Sequence, residues 1–245
     1  MKIIDAHLHL FRSPSGDEEA QSVGHVNSTD HLRQVYGEMG IVHGVVMGNH
    51  SLALDYHDYP GDLFHYCLGL DSSLTGGAEI PNLADIVEAH LRRKSCCGVK
   101  LYPGYSRISL SDPLYGPVYE LAAEYHKPVA VHMGLTAFPG AQLKYCHPLA
   151  LDEVAAKNPN VSADLSGLLE GRTDLDAWFR EQAGYAALLR TWLAAVGNWE
   201  KYLFGTDWPI VNLGEYIEFI RRIVPASHWE AVFFDNANRV YGLGL

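Results

Sequence analysis

The chain has 245 residues, with 18 Lys and Arg against 29 Asp and Glu, a formal net charge of −11 and 48% hydrophobic residues. That length can bury a sizeable core without staples, and the apolar fraction is ordinary for a globular protein, which excludes a disordered chain. The acidic balance opposes a nucleic-acid partner, because phosphate backbones are held by clustered Lys and Arg; the short basic cluster Arg92, Arg93 and Lys94 falls on a predicted helix and reads as a solvated face. No run approaches the roughly 18 apolar residues of a membrane span, so no membrane partner is expected. Cys67, Cys96, Cys97 and Cys146 form no paired framework, and the first residues lack an export-signal pattern. Reduced thiols and a cytoplasmic location are the expectation.

Short apolar runs at 3–10, 42–49, 64–71, 98–103, 128–134, 161–167 and 202–209 read as seven strands. Between them, helices are predicted over 83–94, 115–126, 149–157, 175–196 and 216–224. In the longest, Leu175, Trp178, Gln182, Ala186, Leu189, Leu193 and Val196 recur at three- and four-residue steps, and Thr173 and Asp174 supply a start signal. Strands alternating with helices imply parallel neighbours joined by crossovers. No linker or composition shift divides the chain. Residues 1–245 are therefore expected to form one α/β domain, of a size that suits a (β/α) barrel.

The chemistry starts in the first strand. Side chains alternate across a strand, so Asp5, His7 and His9 share one face and Ile4, Ala6, Leu8 and Leu10 the other. Two imidazoles two residues apart at the carboxyl end of a strand can converge on one metal ion, although alone they read equally well as hydrogen-bonded histidines. His132 near the end of the fifth strand and Asp207 at the end of the last sit where barrel enzymes keep their chemistry. Singly they would be a core histidine and a turn residue. Together, His7, His9, His132 and Asp207 make a four-ligand set of N and O donors for one divalent ion, zinc first, with manganese or iron as alternatives.

Ile4-Asp5-Ala6-His7-Leu8-His9, Gly98-Val99-Lys100-Leu101-Tyr102-Pro103, Val131-His132-Met133-Gly134, Phe204-Gly205-Thr206-Asp207-Trp208-Pro209 and the tail Asn236-Ala237-Asn238-Arg239-Val240-Tyr241-Gly242-Leu243 resemble the amidohydrolase superfamily. The nearest branch is the amidohydrolase-2 group, which also holds the aminocarboxymuconate-semialdehyde and resorcylate decarboxylases. The resemblance spans almost the whole chain, and the order of the motifs makes it specific. It implies a TIM-type (β/α) barrel and one divalent metal on His7, His9, His132 and Asp207. It also implies a metal-bound water that attacks a C–N, C–O or lactone centre or assists decarboxylation, with Asp207 handling the water's proton as the catalytic residue.

One departure stands out. The family pattern carries a sixth strand ending in His-x-Gly between the strands of His132 and Asp207, and this chain has no counterpart, leaving seven recognisable strands. A lost strand-helix unit, a short strand at 144–147 with His147 in the missing role, or a truncated chain would each account for it. A lost unit would leave strand edges that invite association into a homo-oligomer. Around the site, Lys100 and Tyr102 are substrate-binding candidates, with a bridging carbamylated lysine as a minor reading of Lys100. Arg107 is the expected clamp for a substrate carboxylate. Asn49, His50 and Asp71 follow strand ends, whereas His25, His31, His57, His65, His90, His126 and His228 carry no motif and read as surface or structural. The expected function is a metal-dependent hydrolase acting on a small molecule, one bearing a carboxylate included. A non-oxidative decarboxylase with the same site and a metal-binding barrel with lost or weak catalysis stay open beside it.

Overall fold

The computed structural model of the chain describes residues 1–11, 14–70, 80–134, 136, 140–151, 154, 161–169, 171 and 174–245. Among them, seven strands alternate with helices. The strands are β1 (Ile3–Leu8), β2 (Ile41–Met47), β3 (Phe64–Leu70), β4 (Cys96–Leu101), β5 (Val129–Val131), β6 (Ala163–Leu165) and β7 (Tyr202–Phe204). The helices are α1 (Pro14–Ser22), α2 (Thr29–Met39), α3 (Leu83–Leu91), α4 (Pro103–Ser106), α5 (Gly116–Glu124), α6 (Leu175–Glu181), α7 (Ala183–Val196), α8 (Leu213–Ile223) and α9 (Asn236–Val240). The chain falls into two compact units, Met1–Val46 with Ser162–Leu245, and Met47–Val161.

In the first unit β1 pairs in parallel with β2, and β6 with β7. Every residue of β1 is buried, Asp5 and His7 included. Helix α8 shows why such a segment is helical and where it packs. Asn212 caps its start by accepting the Glu215 N–H, Arg221 and Arg222 close its end, and Leu213, Tyr216, Ile217, Phe219, Ile220 and Ile223 form one buried stripe. The tail motif is structural: the Asn236 amide donates to the carbonyls of Trp199 (2.8 Å) and Tyr202 (2.7 Å), anchoring the start of β7. The helix predicted over 175–196 is two helices that meet at Gln182, where Gly184 follows in the weakened first turn of α7. Leu175, Trp178, Ala186 and Leu193 of its stripe are buried, but Gln182 and Val196 are exposed.

The second unit holds β3, β4 and β5 in parallel register, Leu68 beside Val99 and Leu101 beside Val131. All of β4 is buried, as a parallel strand covered on both faces requires. Arg93 is not part of a solvated basic face: its guanidinium donates to the Leu54 carbonyl and pairs with Asp58. The stretch 144–147 forms no strand. Leu143–Tyr145 and Pro148–Leu151 are 3₁₀ turns, and His147 Nδ1 accepts the Leu149 N–H (3.2 Å) as an entry cap. Of the helix predicted over 149–157, residues 152–153 and 155–157 lie outside the described residues, as do Asp71 and Thr173. No helix among the described residues is long and apolar enough to cross a membrane. All four cysteines are buried free thiols.

Candidate metal centre

The site is built where β1 runs beside the segment that follows β7. The Asp207 N–H donates to the His7 carbonyl (2.8 Å) and the His9 N–H to the Trp208 carbonyl (2.8 Å), which carries the backbone ladder past the end of β7. Asp207 takes a left-handed backbone, φ 62°, uncommon for a residue with a side chain. This geometry brings three predicted ligands together. Asp207 Oδ1 lies 3.4 Å from His7 Nε2 and 3.2 Å from His9 Nε2, and one ligand atom from each residue falls within 4.8 Å of the others. Two ligands about 2.0–2.1 Å from one tetrahedral ion are about 3.3 Å apart, so this donor set fits a divalent cation. The His9 ring is stacked on Phe11 at 5.3 Å between centroids.

Asp5, whose strand position places it with the two histidines, is turned to another task. It accepts the Thr206 N–H (2.9 Å) and hydroxyl (2.7 Å), the Tyr36 hydroxyl (2.8 Å) and the His7 N–H (3.3 Å). Burial pushes its carboxyl up to about 6, against the pull of those four donors. The Thr206 hydroxyl also accepts the Trp208 N–H (3.0 Å), so Asp5 fixes the residues on both sides of Asp207. Two glycines make the approach feasible. A Cβ on Gly205 would stand 2.7 Å from His7 Cβ, and one on Gly167, itself at φ 65°, would stand 3.1 Å from Asp207 Oδ2.

The sequence reading missed Asp164 and Ser166. Asp164 Oδ2 lies 3.2 Å from His7 Nδ1, Ser166 Oγ lies 3.1 Å from the same nitrogen, and the Ser166 hydroxyl donates to Asp164 Oδ1 at 2.5 Å. A polar residue on each side of one leucine at a strand end was the available signal.

The other predicted residues belong to the second unit. His132 directly follows β5; its N–H donates to the Leu101 carbonyl (2.9 Å) and its ring stands 5.1 Å from Tyr105 and 6.4 Å from Tyr102. Lys100 is buried, its ammonium 5.5 Å from the centre of the Tyr102 ring. The Tyr102 hydroxyl donates to the Gly48 carbonyl (3.1 Å). Arg107 sends Nε (3.0 Å) and Nη2 (2.7 Å) to the Gly140 carbonyl, which leaves part of its fork of donors for a ligand.

A model of the amidohydrolase family matches residues 4–163 and 153–243. The chain belongs to the amidohydrolase family. Solved structures agree at the level of fold. An uncharacterised TIM-barrel protein from Bordetella bronchiseptica is 19% identical, covers 99% of both chains and has a TM-score of 0.68. A dihydroxybenzoic acid decarboxylase from Polaromonas sp. JS666, solved with manganese and the inhibitor 2-nitroresorcinol, is 14% identical over 100% of this chain and 98% of its own, TM-score 0.65. An amidohydrolase from Burkholderia multivorans with bound zinc is 18% identical over 99% of each chain, TM-score 0.54. No curated protein matches. The fold is the TIM-type α/β barrel, with seven strands among the described residues where the full barrel has eight.

Proposed function

We propose that this member of the amidohydrolase family is a metal-dependent hydrolase in which His7, His9 and Asp207 hold one divalent ion. The observation that carries the reading is the convergence of His7 Nε2, His9 Nε2 and Asp207 Oδ1 at 3.2 and 3.4 Å. Zinc is the first choice and manganese or iron the alternatives; the zinc and manganese bound by the Burkholderia and Polaromonas proteins support a divalent ion of this kind. When bound, the ion would supply Lewis acidity and lower the pKa of a coordinated water toward about 7.

The chain's own residues divide the remaining work. Asp207 Oδ1 faces both imidazoles and Oδ2 lies toward Gly167; in this reading the Asp207 carboxylate takes and returns the proton. Phe11 fixes the plane of the His9 ring by stacking, and Asp5 with Thr206 holds Asp207 in its left-handed conformation. The substrate in this reading is a small molecule, with or without a carboxylate.

Two observations keep other readings in view. The Polaromonas protein, a decarboxylase, shares this fold, and decarboxylation with the same metal site is the second reading. The strand before β7 carries Asp164 and Ser166 and no histidine, which favours a metal-binding barrel with weak catalysis as the third. The test is turnover of lactones, amides and aromatic carboxylic acids by metal-loaded protein. Hydrolysis of a lactone or amide with a basic limb near neutrality supports the first reading, carbon dioxide release the second, and metal binding without turnover the third.

A further inference from the structure

We infer that Asp164, oriented by Ser166, is a positioning residue that sets the tautomer of His7 so that Nε2 presents its lone pair to the ion; the inference rests on the metal-site reading above. A serine hydroxyl has one hydrogen, and that of Ser166 is committed to Asp164 Oδ1 in a short bond of 2.5 Å, as a hydroxyl donating to a carboxylate forms. What Ser166 turns toward His7 Nδ1, 3.1 Å away, is therefore an oxygen lone pair. The second partner of Nδ1, Asp164 Oδ2 at 3.2 Å, is also an acceptor.

With acceptors on both sides, Nδ1 carries a ring hydrogen. Nε2 points at a further acceptor, Asp207 Oδ1, 3.4 Å away. A proton on Nε2 satisfies that contact in the metal-free protein, and an ion would take the proton's place and meet the Nε2 lone pair. The His7 side chain is only 8% exposed, so water does not freely replace these partners. A carboxylate behind a ligating imidazole fixes ring orientation and raises its basicity, and removing such a partner typically costs about 10- to 100-fold in metal affinity.

The experiment uses the full chain, metal-free and then titrated with Zn²⁺ alone. Two-bond ¹H–¹⁵N spectra of the wild type, metal-free and Zn²⁺-loaded, should show a hydrogen on His7 Nδ1; a bare Nδ1 would overturn the inference without any substitution being made. In Asp164→Asn, whose amide can donate to Nδ1, the His7 pattern should move toward the Nε2-protonated form and Zn²⁺ affinity should fall about 10- to 100-fold, with the His9 pattern unchanged. Ser166→Ala, which keeps the carboxylate, should show a smaller loss, and Asp164→Glu should recover part of the affinity. An unmoved His7 tautomer in folded Asp164→Asn, or Zn²⁺ affinity equal to wild type, would sink the role of Asp164. Failure of the wild type itself to bind Zn²⁺ would instead sink the metal-site reading, and the tautomer spectra would still decide what Asp164 does.

Discussion

Two histidine clusters, one in each unit, are used in opposite ways. In the second, His57 and His90 are fully buried in an aromatic cluster with both ring nitrogens of each facing protein groups. His57 Nε2 meets the Ser51 carbonyl (2.8 Å) and Nδ1 the Tyr59 hydroxyl (3.5 Å); His90 Nε2 meets the Leu52 carbonyl (3.1 Å) and Nδ1 the Tyr66 hydroxyl (2.8 Å). These rings tie the 51–60 loop to β3 and α3. In the first unit His7 spends Nδ1 on Asp164 and Ser166 but turns Nε2 toward a carboxylate oxygen that a second imidazole also faces. A ring nitrogen that meets a carbonyl or hydroxyl goes with a structural histidine, and two rings that converge on one carboxylate oxygen make a candidate site.

The contrast is broken or sharpened by substitutions in each unit. The largest effect is expected at Asp207: Asp207→Asn should lower turnover on any accepted substrate by about 10²- to 10⁴-fold, the range for a positioned proton-handling group, whereas His57→Gln in the second unit should leave it near wild type. Steady-state kinetics on the two variants checks this. The next effect is steric. Gly205→Ala would place a methyl 2.7 Å from His7 Cβ, and Gly98→Ala one 2.7 Å from the Pro128 carbonyl oxygen. Both should cost about 1–3 kcal/mol of stability in denaturant titrations, but Gly205→Ala alone should also weaken metal binding. A similar pairing separates buried hydroxyls. Thr206→Val removes one of the four donors to Asp5, and Tyr66→Phe removes the Nδ1 partner of His90; each should cost about 1–3 kcal/mol, with metal affinity falling in the first and holding in the second.

The smallest effect is a pH dependence shared by both units. Burial holds His90 and His25 below the ordinary histidine range, with Arg93 adding to it for His90 and His31 for His25, while the Leu52 carbonyl partly offsets it at His90. The unfolded chain takes up a proton near pH 6.5 and the folded one resists, so this stability is present above about 6.5 and is lost as pH falls toward the folded values. Asp5, raised to about 6, works in the opposite direction, so the histidine contribution is read by difference: between pH 7.5 and 5.5 the change in urea stability should be more unfavourable in the wild type than in His90→Gln.

The residues legible in the sequence were those whose signal is local. The alternation that puts His7 and His9 on one face of β1, and the position of Asp207 just past the last strand, needed only the period of a strand. The strand ends were not legible. β7 ends at Phe204, five residues before the predicted end, and β6 is three residues long, too short for its own period to show. Asp164 and Ser166 were missed for that reason, and because a lone carboxylate is ordinarily a surface residue. The break at Gln182 was hidden by an apolar stripe that stays in phase across both helices, and the Arg107 contact to Gly140 depends on a loop that no periodicity describes.

Metal stoichiometry tests the central claim most directly. Elemental analysis of metal-loaded, dialysed protein should give close to one transition-metal ion per chain for the wild type and for a folded His57→Gln/His90→Gln variant, and none for His7→Ala/His9→Ala. Full retention of the ion in the His7→Ala/His9→Ala protein would contradict the account.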